Sequence, residues 1–285
     1  MSGAPEQLLD PRLLEIAAML GLEQPRVTRL PGGPANRTLR IQDARRDLVV
    51  RLAGDSGATL RADLVSELAM LEAAASAGLA PAVVLARPEL GYIVMQHAAG
   101  RTPESGALRD AGFLRQLGAW IARLQAVPLP IGLRPVDFGE RAAAYLAQLQ
   151  DREPPGLHAR LGVELARRRA ALAPTAHRVC CHHDLHRRNL VDTGAAILVI
   201  DWEYAGPGDP AADLASCIGY HALGPAEVDA LLAGFGQDSA VLRTRLDAMA
   251  WIFDCLWYGW NGVAACAGLE VDLGLQQRLI ARLGA

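Results

Sequence analysis

Strand-like and helical patterns occupy different parts of this sequence, and that division constrains the fold more than any other feature. A short amphipathic helix is predicted over 11–20, and five strand-like runs bounded by turn residues follow it. The runs cover residues 26–30, 38–42, 47–52, 83–86 and 92–96. Leucines at helical spacing between Leu60 and Leu71 predict one longer helix between the third run and the fourth. The first third of the chain therefore predicts an antiparallel sheet with one main helix.

After Gly100 the pattern is mostly helical. Helices are predicted over residues 113–124, about 139–150, about 160–172 and most of the chain from Ala211 onward. No low-complexity linker separates the strand-rich part from the helical part. We therefore expect an α+β protein with a small sheet-containing lobe, residues 1–95, joined tightly to a larger, mainly helical lobe, residues 96–285.

The charged residues exclude several classes of protein. The chain of 285 residues has 28 basic and 31 acidic side chains, and every basic one is an arginine. Without lysine it has neither a P-loop lysine nor a Schiff-base lysine for pyridoxal chemistry. The small net charge of −3 disfavours general nucleic-acid binding.

The apolar segments and cysteines bear on the compartment. No basic stretch precedes an apolar one near the N-terminus, so we expect no secretory signal. The apolar stretch 251–268 contains Asp254 and Asn261, which favours a buried helix over a membrane span. The five cysteines include no C-x-x-C pair, so we expect reduced thiols and a cytoplasmic protein that contacts no membrane.

The segment 181–201 carries the clearest chemical signal. Strands predicted over 190–191 and 197–200 flank a turn at 192–194 and form a hairpin. Asp184 and Asn189 precede the first strand and Asp201 follows the second, so the three side chains can converge. A carboxylate and an amide oxygen suit Mg²⁺, and a second carboxylate can orient or deprotonate a hydroxyl group. Phosphoryl transfer from ATP requires these elements.

This segment resembles the catalytic centre of the aminoglycoside phosphotransferase and choline kinase family, which has a protein-kinase-like fold. The triplet H-H-D at 182–184 resembles the catalytic loop His-Arg-Asp or His-Gly-Asp, and Asn189 resembles the loop asparagine. Asp201 takes the place of the Asp-Phe-Gly aspartate. The run I-D-W-E-Y-A-G at 200–206, with D-P at 209–210 and D-L-A at 213–215, is most similar to the choline, ethanolamine and thiamine kinase branch.

The resemblance implies a bilobal fold that binds ATP and Mg²⁺ between its lobes. Asp184 is then the base, or the group that orients the acceptor hydroxyl, and Asn189 and Asp201 bind Mg²⁺. The resemblance also implies a set of nucleotide-binding residues in the N-terminal lobe. They are Gly32, Gly33 and Asn36 in a loop over the phosphates, Arg51 on the third strand with Glu67 as its partner, and Gln96 and His97 at the hinge that receives adenine.

Residues for the acceptor are predicted on the late apolar helix. Trp257 and Trp260 are three residues apart and Asp254 precedes them, an arrangement that suits a quaternary ammonium or thiazolium cation. A W-x-x-W pair in a late helix also resembles choline kinases. Glu203 can add a second negative group. The alternatives are that both tryptophans belong to the core and that Asp254 pairs with an arginine.

Other residues of the block keep open roles. His186 is a candidate catalytic residue that contacts a metal-bound water or the phosphate, with a structural role as the alternative. We expect His182 to support the catalytic loop from a buried position, and Asp213 to cap its helix or brace that loop. The adjacent Cys180 and Cys181 point to opposite faces of a strand, which disfavours a zinc site with the nearby histidines.

The sequence and the resemblance together predict an ATP-dependent kinase that phosphorylates a hydroxyl group of a small cationic alcohol such as choline, ethanolamine or thiamine. Two alternatives stay open. One is an antibiotic phosphotransferase that acts on aminoglycosides or macrolides, and the other is a non-catalytic nucleotide-binding module. The sequence determines neither the acceptor nor the oligomeric state.

Overall fold

The computed structural model describes residues 10–31, 36–54, 57–149, 156–172, 177–269 and 271–284, with the backbone alone at 36 and 57–63. The described residues divide into two compact units. The first unit takes its residues from Met1–Thr102, Val127–Leu133 and Arg188–Ala205, and the second from Pro103–Ala126, Arg134–Arg187 and Gly206–Ala285. The lobe boundary predicted between residues 95 and 96 stays a prediction.

The first unit contains the predicted five-stranded antiparallel sheet. Its strands are β1 (Arg26–Arg29), β2 (Asn36–Gln42), β3 (Asp47–Ala53), β4 (Val83–Arg87) and β5 (Tyr92–Gln96), in the spatial order β1-β2-β3-β5-β4. Helix α1 (Pro11–Leu20) precedes the sheet, and helix α2 (Gly57–Ser76) connects β3 to β4. All seven elements lie within a few residues of the predicted positions.

Strand β3 occupies the centre of this sheet and fixes the place of Arg51. Leu48, Val50 and Leu52 alternate along β3 and belong to one buried cluster with residues of α1, β1, β2 and β5. Because successive side chains of a strand point to opposite faces, Arg51 points away from that cluster. Helix α2 contacts β3 and supplies Glu67.

Four further strands form two small antiparallel sheets. They are β6 (Val179–Cys181), β7 (Leu190–Asp192), β8 (Ile197–Val199) and β9 (Gly206–Gly208). Strands β7 and β8 are the predicted hairpin and belong to the first unit. Strands β6 and β9 pair within the second unit, and the sequence analysis did not predict β9 because a Gly-Pro-Gly run is typical of a turn.

The second unit is mainly helical, as predicted. Its helices are α3 (Ala111–Gln125), α4 (Phe138–Leu149), α5 (Leu157–Ala171), α6 (Ala212–His221), α7 (Pro225–Phe235), α8 (Ala240–Cys266) and α9 (Leu273–Leu283). Helices α6 and α8 pack closely at Gly219, where any side chain would overlap the ring of Phe253. No helix in the described part of the chain is long and apolar enough to span a membrane.

Candidate active site

One buried arginine in the first unit binds three carboxylates. Arg51 Nε lies 2.8 Å from Glu67 Oε1, which is the predicted ion pair. Its Nη1 donates to Asp201 Oδ1 at 2.8 Å, and its Nη2 donates to Glu203 Oε2 at 2.7 Å. These four residues form the arginine–carboxylate cluster. The contact with Glu203 was not predicted, since that residue was assigned to the acceptor.

The arginine–carboxylate cluster carries more negative than positive charge. Burial opposes the charge of Arg51, but the coulombic attraction of Glu67, Asp201 and Glu203 raises its pKa overall, so the guanidinium stays charged. Burial raises the pKa of Glu67 to about 7, an effect that Arg51 opposes and the other two carboxylates reinforce. A cluster with one permanent positive charge and three acidic groups favours the approach of a cation.

The predicted metal ligands adjoin this cluster. Asn189 immediately precedes β7 and is buried, and its carbonyl accepts a hydrogen bond from the N–H of Ile200 at 2.9 Å. Asp201 follows Ile200, with its side chain 37% exposed and its backbone left-handed, with φ at 65°. An amide oxygen and a carboxylate suit Mg²⁺ chemically. Within the described residues, however, no group of three or more His, Cys, Asp or Glu side chains is already arranged to hold a metal ion.

The structure describes only some of the residues predicted to bind the nucleotide. Gly32, Gly33 and the side chain of Asn36 lie outside the described residues. The N–H of Gln96 donates to the Ala82 carbonyl and the N–H of His97 donates to the Asp47 carbonyl. Both N–H groups are therefore already bonded within the first unit.

Asp184 in the second unit lies among aromatic side chains. The hydroxyl of Tyr220 donates to Asp184 Oδ1 at 2.6 Å, and His186 Nε2 lies 3.6 Å from Asp184 Oδ2. These three residues form the Asp184 cluster. The Asp184 side chain is only 12% exposed, so Tyr220 bonds a carboxylate that is largely withdrawn from water.

The sequence analysis missed Tyr220 altogether. A signal for it exists, because Tyr220 lies seven residues after Asp213 in helix α6, which is two helical turns. Both residues therefore share the helix face that contacts the predicted catalytic loop at residues 182–184.

Asp213 braces the catalytic loop through the loop's backbone. Its carboxylate accepts hydrogen bonds from the N–H groups of His182 at 2.9 Å and His183 at 2.7 Å. The expectation that Asp213 caps helix α6 is wrong, since Ala211 occupies the N-cap and Asp213 is the second residue inside the helix, pointing at the loop. Burial raises the pKa of Asp213 to about 6, although both N–H groups lower it.

His182 and His221 also bond the backbone of this loop, and the loop contains a strained residue, His183. His182 is fully buried, and its Nδ1 accepts a hydrogen bond from the N–H of Asp184 at 3.3 Å, as predicted. His183 has φ at 67°, a conformation that costs a non-glycine residue about 1–3 kcal/mol. His221 donates from Nε2 to the Leu185 carbonyl at 3.0 Å, and burial lowers the pKa of His221 to about 4, so it stays neutral.

The predicted acceptor residues of helix α8 separate in the structure. The Trp257 ring lies 4.7 Å from the Tyr220 ring, edge to face, whereas Trp260 is 43% exposed. Asp254 is buried and forms an ion pair with Arg282, which confirms the alternative interpretation of this carboxylate. Trp257 therefore adjoins the Asp184 cluster, and Asp254 already has its counter-charge.

Comparisons with known proteins identify the family and the fold. The family model described as "Phosphotransferase enzyme family" matches residues 26–248. No curated protein sequence matches the chain.

Many solved structures share its fold, among them those of the following three proteins. A choline/ethanolamine kinase family protein from Mesorhizobium loti is 24% identical with a TM-score of 0.77, and the match covers 95% of this chain and 92% of that one. Choline kinase LicA from Streptococcus pneumoniae is 20% identical with a TM-score of 0.74, over 95% and 96%. The spectinomycin phosphotransferase APH(9)-Ia, solved with ADP and spectinomycin, is 15% identical with a TM-score of 0.62, over 96% and 92%. The expected kinase-like fold is thereby confirmed.

Proposed function

The chain belongs to the phosphotransferase enzyme family, and from this premise we propose that it transfers the γ-phosphate of ATP, with Mg²⁺, to a hydroxyl group of a small cationic alcohol. Choline, ethanolamine and thiamine are the leading acceptors. One observation carries the proposal: the nearly buried Asp184 carboxylate is held by Tyr220, whose ring packs on Trp257. A carboxylate can take up a hydroxyl proton, and aromatic faces beside it favour a cation.

The second unit supplies the acceptor side of the proposed reaction. Asp184 orients the acceptor hydroxyl and receives its proton as the new O–P bond forms, while the bond from the γ-phosphorus to the bridging oxygen breaks and ADP leaves. Trp257 gives the cation an aromatic face, and His186, whose Nε2 lies 3.6 Å from Asp184 Oδ2, can contact the transferred phosphate. The brace from Asp213 holds the loop that carries Asp184, so the carboxylate keeps its position during turnover.

The first unit supplies the nucleotide side. Arg51 holds phosphate oxygens through its planar guanidinium, which can bind two oxygens at once. Asn189 and Asp201 hold Mg²⁺. Glu203, which forms an ion pair with Arg51, adds negative charge beside them. When bound, Mg²⁺ neutralises negative charge on the phosphate oxygens. In this proposal Gly32, Gly33 and Asn36 cover the phosphates, Gln96 and His97 receive adenine, and the reaction draws on cytoplasmic ATP.

The charge around helix α8 favours a small acceptor over an aminoglycoside. A polycationic antibiotic needs several unpaired carboxylates in its pocket. Asp254 does not serve this need, because Arg282 already neutralises it. Aminoglycoside phosphorylation is therefore the second candidate, and the experiment below includes it.

The test is coupled ADP release with Mg²⁺ and ATP against choline, ethanolamine, thiamine, homoserine, a hexosamine and an aminoglycoside. Asp184→Ala serves as the blank. Asp229→Ala is the matched control, since it removes a carboxylate that is 62% exposed and paired with Arg243 on the surface. Turnover on one cationic alcohol, lost only in Asp184→Ala, supports the proposal. Turnover on the aminoglycoside alone supports the second candidate, and ATP binding without ADP release from any acceptor contradicts both.

A further inference from the structure

We propose that Tyr220 is a positioning residue for the reaction and that its hydroxyl sets the orientation of the Asp184 carboxylate. The inference rests on the proposed role of Asp184. The terminal torsion of an aspartate side chain is broad, so a carboxylate without a fixed donor samples many orientations. The 2.6 Å hydrogen bond from Tyr220 to Asp184 Oδ1 removes that freedom.

The Tyr220 ring is itself fixed, which makes its hydroxyl a precise donor. Edge-to-face contacts join it to Trp257 at 4.7 Å, Phe253 at 4.9 Å and His186 at 5.5 Å between ring centroids. Two of these rings belong to helix α8, which packs on α6 at Gly219. The hydroxyl position therefore depends on helix packing rather than on a mobile loop.

A carboxylate can bond the acceptor and Tyr220 together. An ionised carboxylate has about four lone-pair sites, so it can accept a substrate hydroxyl while Tyr220 continues to donate. Tyr220 transfers no proton in this scheme. It acts through Asp184 by keeping one orientation ready for the acceptor, and the proposal assigns it an effect on turnover rather than on binding.

The test compares Tyr220→Phe with Tyr258→Phe in the ADP-release assay. Tyr258 is a matched control, because it is also buried and its hydroxyl bonds His158 instead. We expect Tyr220→Phe to lower kcat roughly 10- to 100-fold, the loss expected for a hydrogen bond to a charged group. The KM values for acceptor and ATP should stay within about twofold, because the ring and its contacts remain. Wild-type kcat in Tyr220→Phe, or an equal loss in Tyr258→Phe, overturns the proposal.

A second measurement needs no acceptor and separates this inference from the proposed function. Thermal midpoints are compared for wild type, Tyr220→Phe, Asp184→Ala and the double variant. If the hydrogen bond holds Asp184, the double variant loses less than the sum of the two single losses. Additive losses overturn the positioning role even if the enzyme turns over. Non-additive losses in a protein that is silent on every acceptor support the positioning of Asp184 and count against the proposed function alone.

Discussion

The arginine–carboxylate cluster and the Asp184 cluster hold their acidic groups by different means. In the first, one guanidinium binds Glu67, Asp201 and Glu203 through charge. In the second, the hydroxyl of Tyr220 donates to Asp184, and Asp213 holds the loop of Asp184 by accepting hydrogen bonds from two of its backbone N–H groups. Asp201 and Glu203 are partly exposed, so another ion can replace them on Arg51. Asp184 and Asp213 are largely buried, so the hydrogen bonds to their carboxylates cost much to break. The first cluster can therefore exchange partners, whereas the second is fixed.

The largest effect should come from the loss of the Asp184 carboxylate, at the centre of the Asp184 cluster. Asp184→Ala should lower turnover on the order of 10²- to 10⁴-fold, because it removes the group that orients and deprotonates the acceptor in the proposed reaction. ATP affinity, measured by calorimetry, should stay unchanged. Near-normal turnover would remove Asp184 from the mechanism, and Asp229→Ala controls for the loss of a carboxylate.

The next largest effect should be on stability, at the brace of the same cluster. Asp213→Ala leaves two buried N–H groups without their acceptor and should lower the free energy of unfolding by about 2–5 kcal/mol. Asp110→Ala is the control, since Asp110 accepts one N–H at the exposed start of α3 and should cost about 1 kcal/mol. Chemical denaturation measures both. Equal losses of unfolding free energy in the two variants would mean that Asp213 stabilises the fold no more than an exposed helix cap does.

The burial of Asp213 should make stability depend on pH. Burial raises the pKa of Asp213 to about 6 in the folded state, against 3.8 as its ordinary value, so the stability that comes from its neutral form is full below pH 4 and is lost as pH rises through 6. Relative to Asp213→Asn, which does not titrate, the wild-type free energy of unfolding should fall by about 2 kcal/mol from pH 4 to pH 6. A flat or rising difference would contradict the assignment.

A smaller effect is expected in the arginine–carboxylate cluster. Arg51→Lys keeps the charge but loses the planar fork that contacts three carboxylates and that we propose to bind phosphate oxygens, so ATP should bind about tenfold more weakly. Arg40→Lys is the control, because Arg40 lies on the adjacent strand β2 in a partly exposed pair with Asp47. Equal affinities in both variants would show that the guanidinium geometry is unimportant for the nucleotide.

The smallest effect should distinguish the two tryptophans of helix α8. Trp257→Ala removes a partly buried ring beside Tyr220 and should raise the acceptor KM about 2- to 5-fold, the range for one cation–aromatic contact that is not fully desolvated. Trp260→Ala removes an exposed ring and should leave that KM within about twofold. A larger effect from Trp260 would move the acceptor away from the Asp184 cluster.

Local pattern predicted most of the fold and part of the site. Alternating aliphatic residues located strands β1 to β5, and the turn residues after Asp192 located the hairpin of β7 and β8. The pairing of Arg51 with Glu67 followed from the motifs. These features depend on short stretches of sequence, in which period and composition are directly visible.

The missed features are contacts between distant segments. Strand β9 exists because Gly206–Gly208 pairs with β6, although its residues are typical of a turn. Glu203 reaches Arg51 across 152 residues of chain, and Tyr220 reaches Asp184 across 36. Packing in three dimensions selects such partners. The helical spacing from Asp213 places Tyr220 on the same face of α6 but does not give its contact with Asp184.

The arginine at position 51 also decides how this site can be labelled chemically. Reagents that acylate the lysine amine of kinases find no lysine anywhere in the sequence. A dicarbonyl reagent condenses with guanidinium groups, and the chain offers 28 of them. Arg51 is only 7% exposed and meets a carboxylate at each of its three nitrogens, so it should react after the surface arginines. The rate of that slow modification would report how often the carboxylates release the guanidinium.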